Sequence, residues 1–246
     1  ISYYPALSQL LNEIGHDLKP HVVCIMSLKN AGAGLPDGGL FSAEQIKGKQ
    51  LEETALQQKP ARGAIEAKGT KADIKQLASS EQVKRYAKHY GQVLATNLRQ
   101  FVLVTSDGKT IKQGESFSLG DTDATFWKNV QHTQKMKTEH GDAFKEYLQR
   151  VMLQNAPLSN PQDVAWFLAS YAREAKRRVA ASSHLEGLQS LRQALEDALG
   201  MKFQGKDGDH FFQATLVQTL FYGLFSAWAL WRRDHTGRFD WHSAQW

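Results

Sequence analysis

Residues 62–69 read RGAIEAKG. Ala64 and Ile65 form a short apolar run into Glu66, followed by Ala67 and Lys68. In a strand, side chains alternate faces, so Glu66 and Lys68 point the same way, with Cα atoms about 6–7 Å apart. A carboxylate and an ammonium so placed can hold a divalent cation and aim the amine at a water beside it. Such a cation needs more than one anionic ligand, and Asp37, in the glycine-flanked turn LPDGG of residues 35–39, supplies the second.

Upstream, residues 21–28 (HVVCIMSL) are a continuous apolar run suited to a buried strand. In the loop after it, Gly32, Gly34 and Asp37 occupy the places where a dinucleotide fingerprint wants three glycines. Pro36 and Gly38-Gly39 mark a turn instead, and a Rossmann reading fails. These glycines are expected to let the backbone approach a phosphate or metal closely. Residues 43–61 are polar and read as an inserted loop, most mobile over 47–61. At the start of the chain, Leu7, Leu10, Leu11 and Ile14 fall at helical spacing, and Glu13 sits at the edge of their stripe.

Downstream, Ser79 or Ser80 caps a helix running to about Tyr90, with Val83, Tyr86 and Ala87 on one face. Gln82 and Tyr86 are four apart and therefore neighbours on it. Lys84, Arg85 and Lys88 give it a basic side suited to phosphates, or to solvent alone. Residues 92–95 and 101–105 read as strands, and SDGK at 106–109 starts a hairpin whose second arm covers 109–119. The order helix, strand, excursion, strand, helix, strand, strand is that of an α/β core.

From residue 121 the pattern is helical. Phe144, Tyr147, Leu148, Val151 and Met152 form one stripe. Asn160-Pro161-Gln162-Asp163 is a helix start, and Val164, Phe167, Leu168, Tyr171, Ala175 and Val179 line one face beyond it. Opposite lie Arg173, Lys176 and Arg177, a patch suited to a DNA backbone or to a solvated helix face. Leu188, Leu191, Leu195 and Leu199 continue until Gly200 ends the run. Residues 211–231 are the most apolar stretch, but Gln213, Thr215, Gln218 and Thr219 interrupt it. A spanning helix needs about 20 apolar residues, so a helix buried among the others, or against further parts of a longer polypeptide, is expected, and no membrane. The expected organisation is an α/β domain over 1–120 and a helical connector over 121–246.

The chain of 246 residues is 41% apolar and 22% charged, as in water-soluble globular domains, with a net charge of +5. Mild basicity (pI about 9.2) suits a polyanionic partner without requiring one. A single cysteine, Cys24, excludes a disulfide framework or a cysteine metal site and fits a cytoplasmic setting. No secretory leader is read, and the ending RFDWHSAQW suggests a piece of a longer polypeptide. No HExxH, GxxxxGK[ST], GxSxG or Asn/Asp-Pro-Pro-Tyr/Phe pattern occurs, which removes zinc peptidase, P-loop ATPase, serine hydrolase and adenine methyltransferase chemistry from these residues.

Pro36-Asp37, then Glu66-Ala67-Lys68, then Gln82 with Tyr86, together resemble the PD-(D/E)xK nuclease superfamily, the last pair its RecB-like QxxxY element. The blocks LKNAGAGLPDGGLF, IEAKG, DVAWFLASYAREAKRR and HFFQATLVQTLFYGLFSAWALW also resemble the N-terminal region of fused restriction-modification enzymes. The resemblance implies a restriction-endonuclease-like mixed sheet flanked by helices, followed by an all-α region. It further implies a Mg2+-dependent DNA endonuclease of a restriction-modification or phage-defence enzyme, with Mn2+ able to substitute. Asp37 and Glu66 would be metal ligands, joined in some members by a carboxylate on the first helix, here Glu13 unless it is simply solvated. Lys68 would orient or deprotonate the attacking water, with Gln82 and Tyr86 positioning the site. Products would carry a 5′-phosphate and a 3′-hydroxyl, and methyltransferase and target-recognition domains would follow in the same polypeptide. The alternatives are a non-catalytic nucleic-acid-binding or interaction module of the same fold, or a structural connector whose 211–231 surface holds a partner domain.

Overall fold

The computed structural model describes residues 3–28, 33–48, 58–154, 156–157, 160–237 and 239. Six strands form one mixed sheet in chain order: β1 (Val22–Met26), β2 (Gly38–Ser42), β3 (Ala64–Ala67), β4 (Gln92–Thr96), β5 (Gln100–Ser106) and β6 (Ile111–Ser118). Neighbours are antiparallel except β3 and β4. A parallel pair cannot be joined by a hairpin, and two helices make the crossover, α3 (Ile74–Ser79) and α4 (Glu81–Tyr90). Among the described residues, α1 (Tyr4–His16) precedes β1 and the short α2 (Ala43–Ile46) follows β2.

Alternation in the central strands divides the core. Ala64, Val93, Ala95 and Val104 face α3 and α4, packing with Ile74, Ala78, Val83, Tyr86, Ala87 and Tyr90. On the other side Phe101 and Phe117 stack against Phe144, with ring centroids 4.8 and 5.1 Å apart. The ring of Phe144 comes from α7 (Asp142–Leu153), which follows α5 (Asp123–Val130), α6 (Thr133–Met136) and a π-helical turn over Lys137–Gly141. Helix α1 packs against both α7 and β1. A Cβ at Gly15 would lie 2.0 Å from the Val22 carbonyl oxygen, so only glycine allows α1 to approach the sheet there. The Asn12 side chain then accepts from the Cys24 N–H (2.8 Å) and donates to its carbonyl (3.0 Å), pinning helix to strand.

The Ser80 hydroxyl accepts from the Val83 N–H at 3.2 Å and starts α4 as the sequence indicated. Ser80→Ala should lower the unfolding free energy by about 1 kcal/mol in a urea titration. An unchanged midpoint would mean that packing alone sets the helix start.

Two expectations for residues 35–61 are corrected. Gly38-Gly39, read as a turn, open the fully buried strand β2. A Cβ at Gly38 would meet the Met26 sulfur at 2.5 Å, and one at Gly39 would meet Leu28 and Pro60 at 2.7–2.8 Å. These glycines serve close packing rather than chain reversal. The polar run from residue 43 begins with α2, and Gln45 closes its excursion. Its side-chain Oε1 accepts from the Ser42 and Ala61 N–H groups at 3.1 and 3.0 Å, and its Nε2 donates to the Lys59 carbonyl at 2.8 Å. The excursion's residues 49–57, loop residues 29–32 and the chain end from residue 240 lie outside the described residues.

The chain divides into compact units Ile1–Asp163 and Val164–Trp246, so the boundary expected at residue 120 falls inside the first unit. The helices over 123–153 belong with the sheet because their aromatic stripe packs on it. Arg150, 1% exposed, also forks onto Glu115 of β6 through Nη2 and Nε at 2.8 and 2.9 Å. The second helix-start signal holds: Asn160 Oδ1 accepts from the Asp163 N–H at 2.8 Å, and α8 spans Pro161–Ala181.

The second unit holds most of α8, then α9 (Glu186–Leu199), ended by Gly200 at φ +65°, and α10 (Gly205–Asp234). Phe203, Phe212 and Leu216 form its small core with Val179, Leu188 and Leu195 packed around them. The expected burial of residues 211–231 holds only in part. Phe212, Leu216, Val217 and Ala227 are buried, whereas Leu220, Tyr222, Phe225, Trp228 and Leu230 are exposed. Among the described residues, no helix is long and apolar enough to cross a membrane.

Candidate functional site

The β2–β3 register brings together the residues that the sequence singled out. Gly38 pairs with Ile65 in an antiparallel ladder, so the next position out sets Asp37 against Glu66. Asp37 Oδ2 accepts from the Ala67 N–H at 2.8 Å, which ties the carboxylate to the end of β3. Lys68 continues the parallel ladder through its N–H to the Thr96 carbonyl (2.8 Å). Its Nζ lies 2.6 Å from Glu66 Oε1 and 3.7 Å from Asp37 Oδ2. The expected shared face of Glu66 and Lys68 is therefore present.

Glu66 points to the α3–α4 side of the sheet and is only 1% exposed. Gln82 Nε2 on α4 donates to Glu66 Oε1 (3.2 Å) and lies 3.1 Å from the Tyr86 hydroxyl. The helix pair Gln82 and Tyr86 thus reaches the carboxylate as a chain of hydrogen bonds. Tyr86 is held in turn by the loop above it. Gly34, at φ +114°, lies so close that a Cβ there would be 3.2 Å from the Tyr86 hydroxyl. Gly34 thus serves a close approach to Tyr86, and Gly32 lies outside the described residues.

Burial raises the pKa of Glu66; the Lys68 hydrogen bond opposes this and the charge of Asp37 adds to it. For Lys68, burial acts to lower the pKa but is outweighed by Glu66 and Asp37, so the net shift is upward. Lys68 is consequently held as an ammonium. Glu66 Oε2 is buried and has no hydrogen-bond partner. A buried carboxylate oxygen without a donor is costly, and a divalent cation shared with Asp37 would satisfy it. The residues fit a hard cation of the Mg2+ kind, which commonly takes one or two carboxylates and leaves its other positions to water and phosphate. Among the described residues no group of three His, Cys, Asp or Glu side chains is placed to hold a metal, so the fit is a two-carboxylate one.

Glu13 is not brought to this pair. It is exposed on α1 and accepts from Gln9 Nε2 at 2.9 Å. Lys84, Arg85 and Lys88 line a solvent-open hollow of about 440 Å³ with Ala33, Glu81 and His89. Lys84 pairs with Glu81 at 2.7 Å, and Arg85 donates to the Ala33 carbonyl at 2.8 Å. In the second unit, Arg177 pairs with Glu174 at 3.2 Å, while Arg173 and Lys176 border an apolar groove with Leu168, Val217, Phe221 and Tyr222.

Two further residues reach the site without a signature in the sequence. The Tyr4 hydroxyl donates to Asp37 Oδ1, and the Tyr3 hydroxyl donates to the Ala67 carbonyl at 3.3 Å. Both fall in register with the apolar stripe of the first helix, Tyr3 four residues and Tyr4 three residues before Leu7, but aromatic residues ahead of Pro5 carry no chemical signature of their own. The chain matches no family model, no curated protein and no solved structure.

Proposed function

We propose that the chain is the nuclease portion of a metal-dependent DNA endonuclease that hydrolyses phosphodiester bonds within a fused restriction-modification or phage-defence enzyme. The observation that carries this reading is the buried, unpartnered Oε2 of Glu66 beside Asp37, with the Lys68 ammonium bridging both carboxylates. Asp37 and Glu66 would hold Mg2+, or Mn2+ in its place. When bound, the ion supplies charge neutralisation at the scissile phosphate and a lowered pKa for the attacking water.

The remaining work falls to the chain's own groups. Lys68, protonated, donates a hydrogen bond that orients the water and stabilises negative charge growing on the phosphoryl oxygens. Held as an ammonium, it is a poor proton acceptor. Gln82 fixes the rotamer of Glu66 through Oε1, and Tyr86 fixes Gln82. Lys84, Arg85 and Lys88 contact the DNA backbone, with Arg173, Lys176 and Arg177 a second phosphate-contacting set. Phosphate contacts position a duplex without reading it, so sequence choice and methylation belong to domains downstream in the same polypeptide.

Calorimetric titration with Mn2+ of the wild-type chain, Asp37→Ala and Glu66→Ala tests the site. Heat of binding in the wild type and its loss in both variants support it, whereas three superposable titrations would remove it. Replacing Lys84, Arg85 and Lys88 together with Ala should reduce the slope of log K against log salt for duplex DNA by about 1 for each phosphate these side chains neutralise. An unchanged slope would show that the basic side of α4 is merely solvated.

A further inference from the structure

We infer that Tyr4 is a positioning residue for the cation site, acting through Asp37; the inference rests on the two-carboxylate reading proposed above. Asp37 is held at both oxygens by neutral donors. The Tyr4 phenol donates to Oδ1, and the Ala67 N–H donates to Oδ2 at 2.8 Å. Each oxygen keeps a further lone pair, so the two donors fix the plane of the carboxylate without neutralising its charge or filling its acceptor capacity. Glu66 is fixed comparably from the other side by Gln82 and Lys68 through Oε1. The two carboxylates are thereby oriented by groups from separate elements before any cation arrives.

The precision of this arrangement comes from α1. Asn12 bridges the helix to both backbone groups of Cys24, and Gly15 lets the helix touch Val22. With the helix fixed at those two places, its first turn carries Tyr4 to Asp37. Tyr3 braces that turn: its hydroxyl reaches the Ala67 carbonyl, and its ring meets that of Tyr4 edge-on at 5.3 Å between centroids. Outer groups that orient metal-binding side chains govern affinity because they set the rotamer the ligand presents.

Tyr4→Phe removes only the hydroxyl. Titrated with Mn2+, it should bind about tenfold more weakly than the wild-type chain, with an unchanged thermal unfolding midpoint in the absence of metal. The electron paramagnetic resonance lines of its bound Mn2+ should broaden as Asp37 samples other rotamers. Tyr222→Phe, in the other unit, should match the wild type in affinity and line shape. An unchanged affinity in Tyr4→Phe overturns the inference, even if the unfolding midpoint falls, because the tyrosine would then only pack. A tighter affinity overturns it too, since the phenol would be competing with the cation for Asp37. If the wild-type chain takes up no Mn2+, the metal reading itself fails and the role of Tyr4 goes with it. Wild-type binding with an unaffected Tyr4→Phe removes the Tyr4 role alone.

Discussion

Glu66→Gln should weaken Mn2+ binding by at least about 100-fold, beyond the range seen when only outer groups are lost. It should also make the metal-free chain more stable than the wild type at neutral pH. Both effects come from one cause. Glu66 is buried with Oε2 unpartnered, and burial raises its pKa. A carboxyl whose folded pKa lies above its unfolded value contributes stability that is fully present below the unfolded pKa. That stability is lost as pH rises through the folded pKa. The wild type should therefore approach the variant in stability on the acid side and fall behind it as Glu66 ionises. Lys68 offsets part of this loss, but its side chain is 46% exposed, so solvent screens the pair. Cation binding needs the ionised form, hence wild-type affinity should fall as pH drops through the same raised pKa. A cation at 100 times its wild-type dissociation constant would stabilise the wild type by about 2.7 kcal/mol and Glu66→Gln by no more than about 0.4 kcal/mol. Urea unfolding of both proteins across a pH series, with and without Mn2+, reads all of this. Parallel stability curves, or equal stabilisation by Mn2+, would show that Glu66 is an ordinary buried carboxylate.

The features legible in the sequence were those written in local chemistry. Side-chain alternation in β3 placed Glu66 and Lys68 on one face, and 2.6 Å now separates their charged atoms. Ser80, Asn160 and Gly200 marked helix ends because each satisfies or terminates backbone groups within one turn. Long-range pairing left weaker traces. Asp37 could be linked to Glu66 only by the needs of a cation, since the register that joins them depends on β2. That strand was hidden because its opening Gly-Gly has the composition of a turn, while the reason for the glycines lies in Met26, Leu28 and Pro60 from elsewhere in the chain. Periodicity likewise revealed the apolar face of α7 but not its partner. Phe144 and Tyr147 pack on the sheet, so the first unit extends well past residue 120. Tyr4 was invisible for a related reason. The role inferred for it depends on the helix being pinned at Asn12 and Gly15, contacts that no spacing rule encodes.

Lys68→Ala should separate cation binding from hydrolysis. Removing a donor aimed at developing charge costs about 10²–10³ in rate, so cleavage of supercoiled plasmid by a polypeptide active as wild type should fall by that factor. Mn2+ affinity should be retained or become tighter, because the ammonium now 2.6 Å from Glu66 and 3.7 Å from Asp37 would no longer compete for the two carboxylates. This opposition would distinguish Lys68 from the two proposed metal ligands, Asp37 and Glu66, whose loss should remove binding and cleavage together. The rate–pH profile then decides its chemistry. Glu66 and Asp37 hold the amine above its ordinary pKa, so a role in orienting water and stabilising charge predicts no limb from amine deprotonation across neutral pH. The Lys68→Ala profile should be displaced downward, with its acid limb moved to higher pH because Glu66 loses the hydrogen bond and charge that oppose its raised pKa, and with no limb lost on the alkaline side. A proton-abstracting lysine would instead give the wild type a rising limb that the variant lacks. Lys68→Arg should recover only part of the rate, because a planar guanidinium cannot reproduce the compact point charge seated between two carboxylates. Full cleavage by Lys68→Ala, or loss of its Mn2+ binding, would place the catalytic charge elsewhere and leave Lys68 as a simple counterion to Glu66.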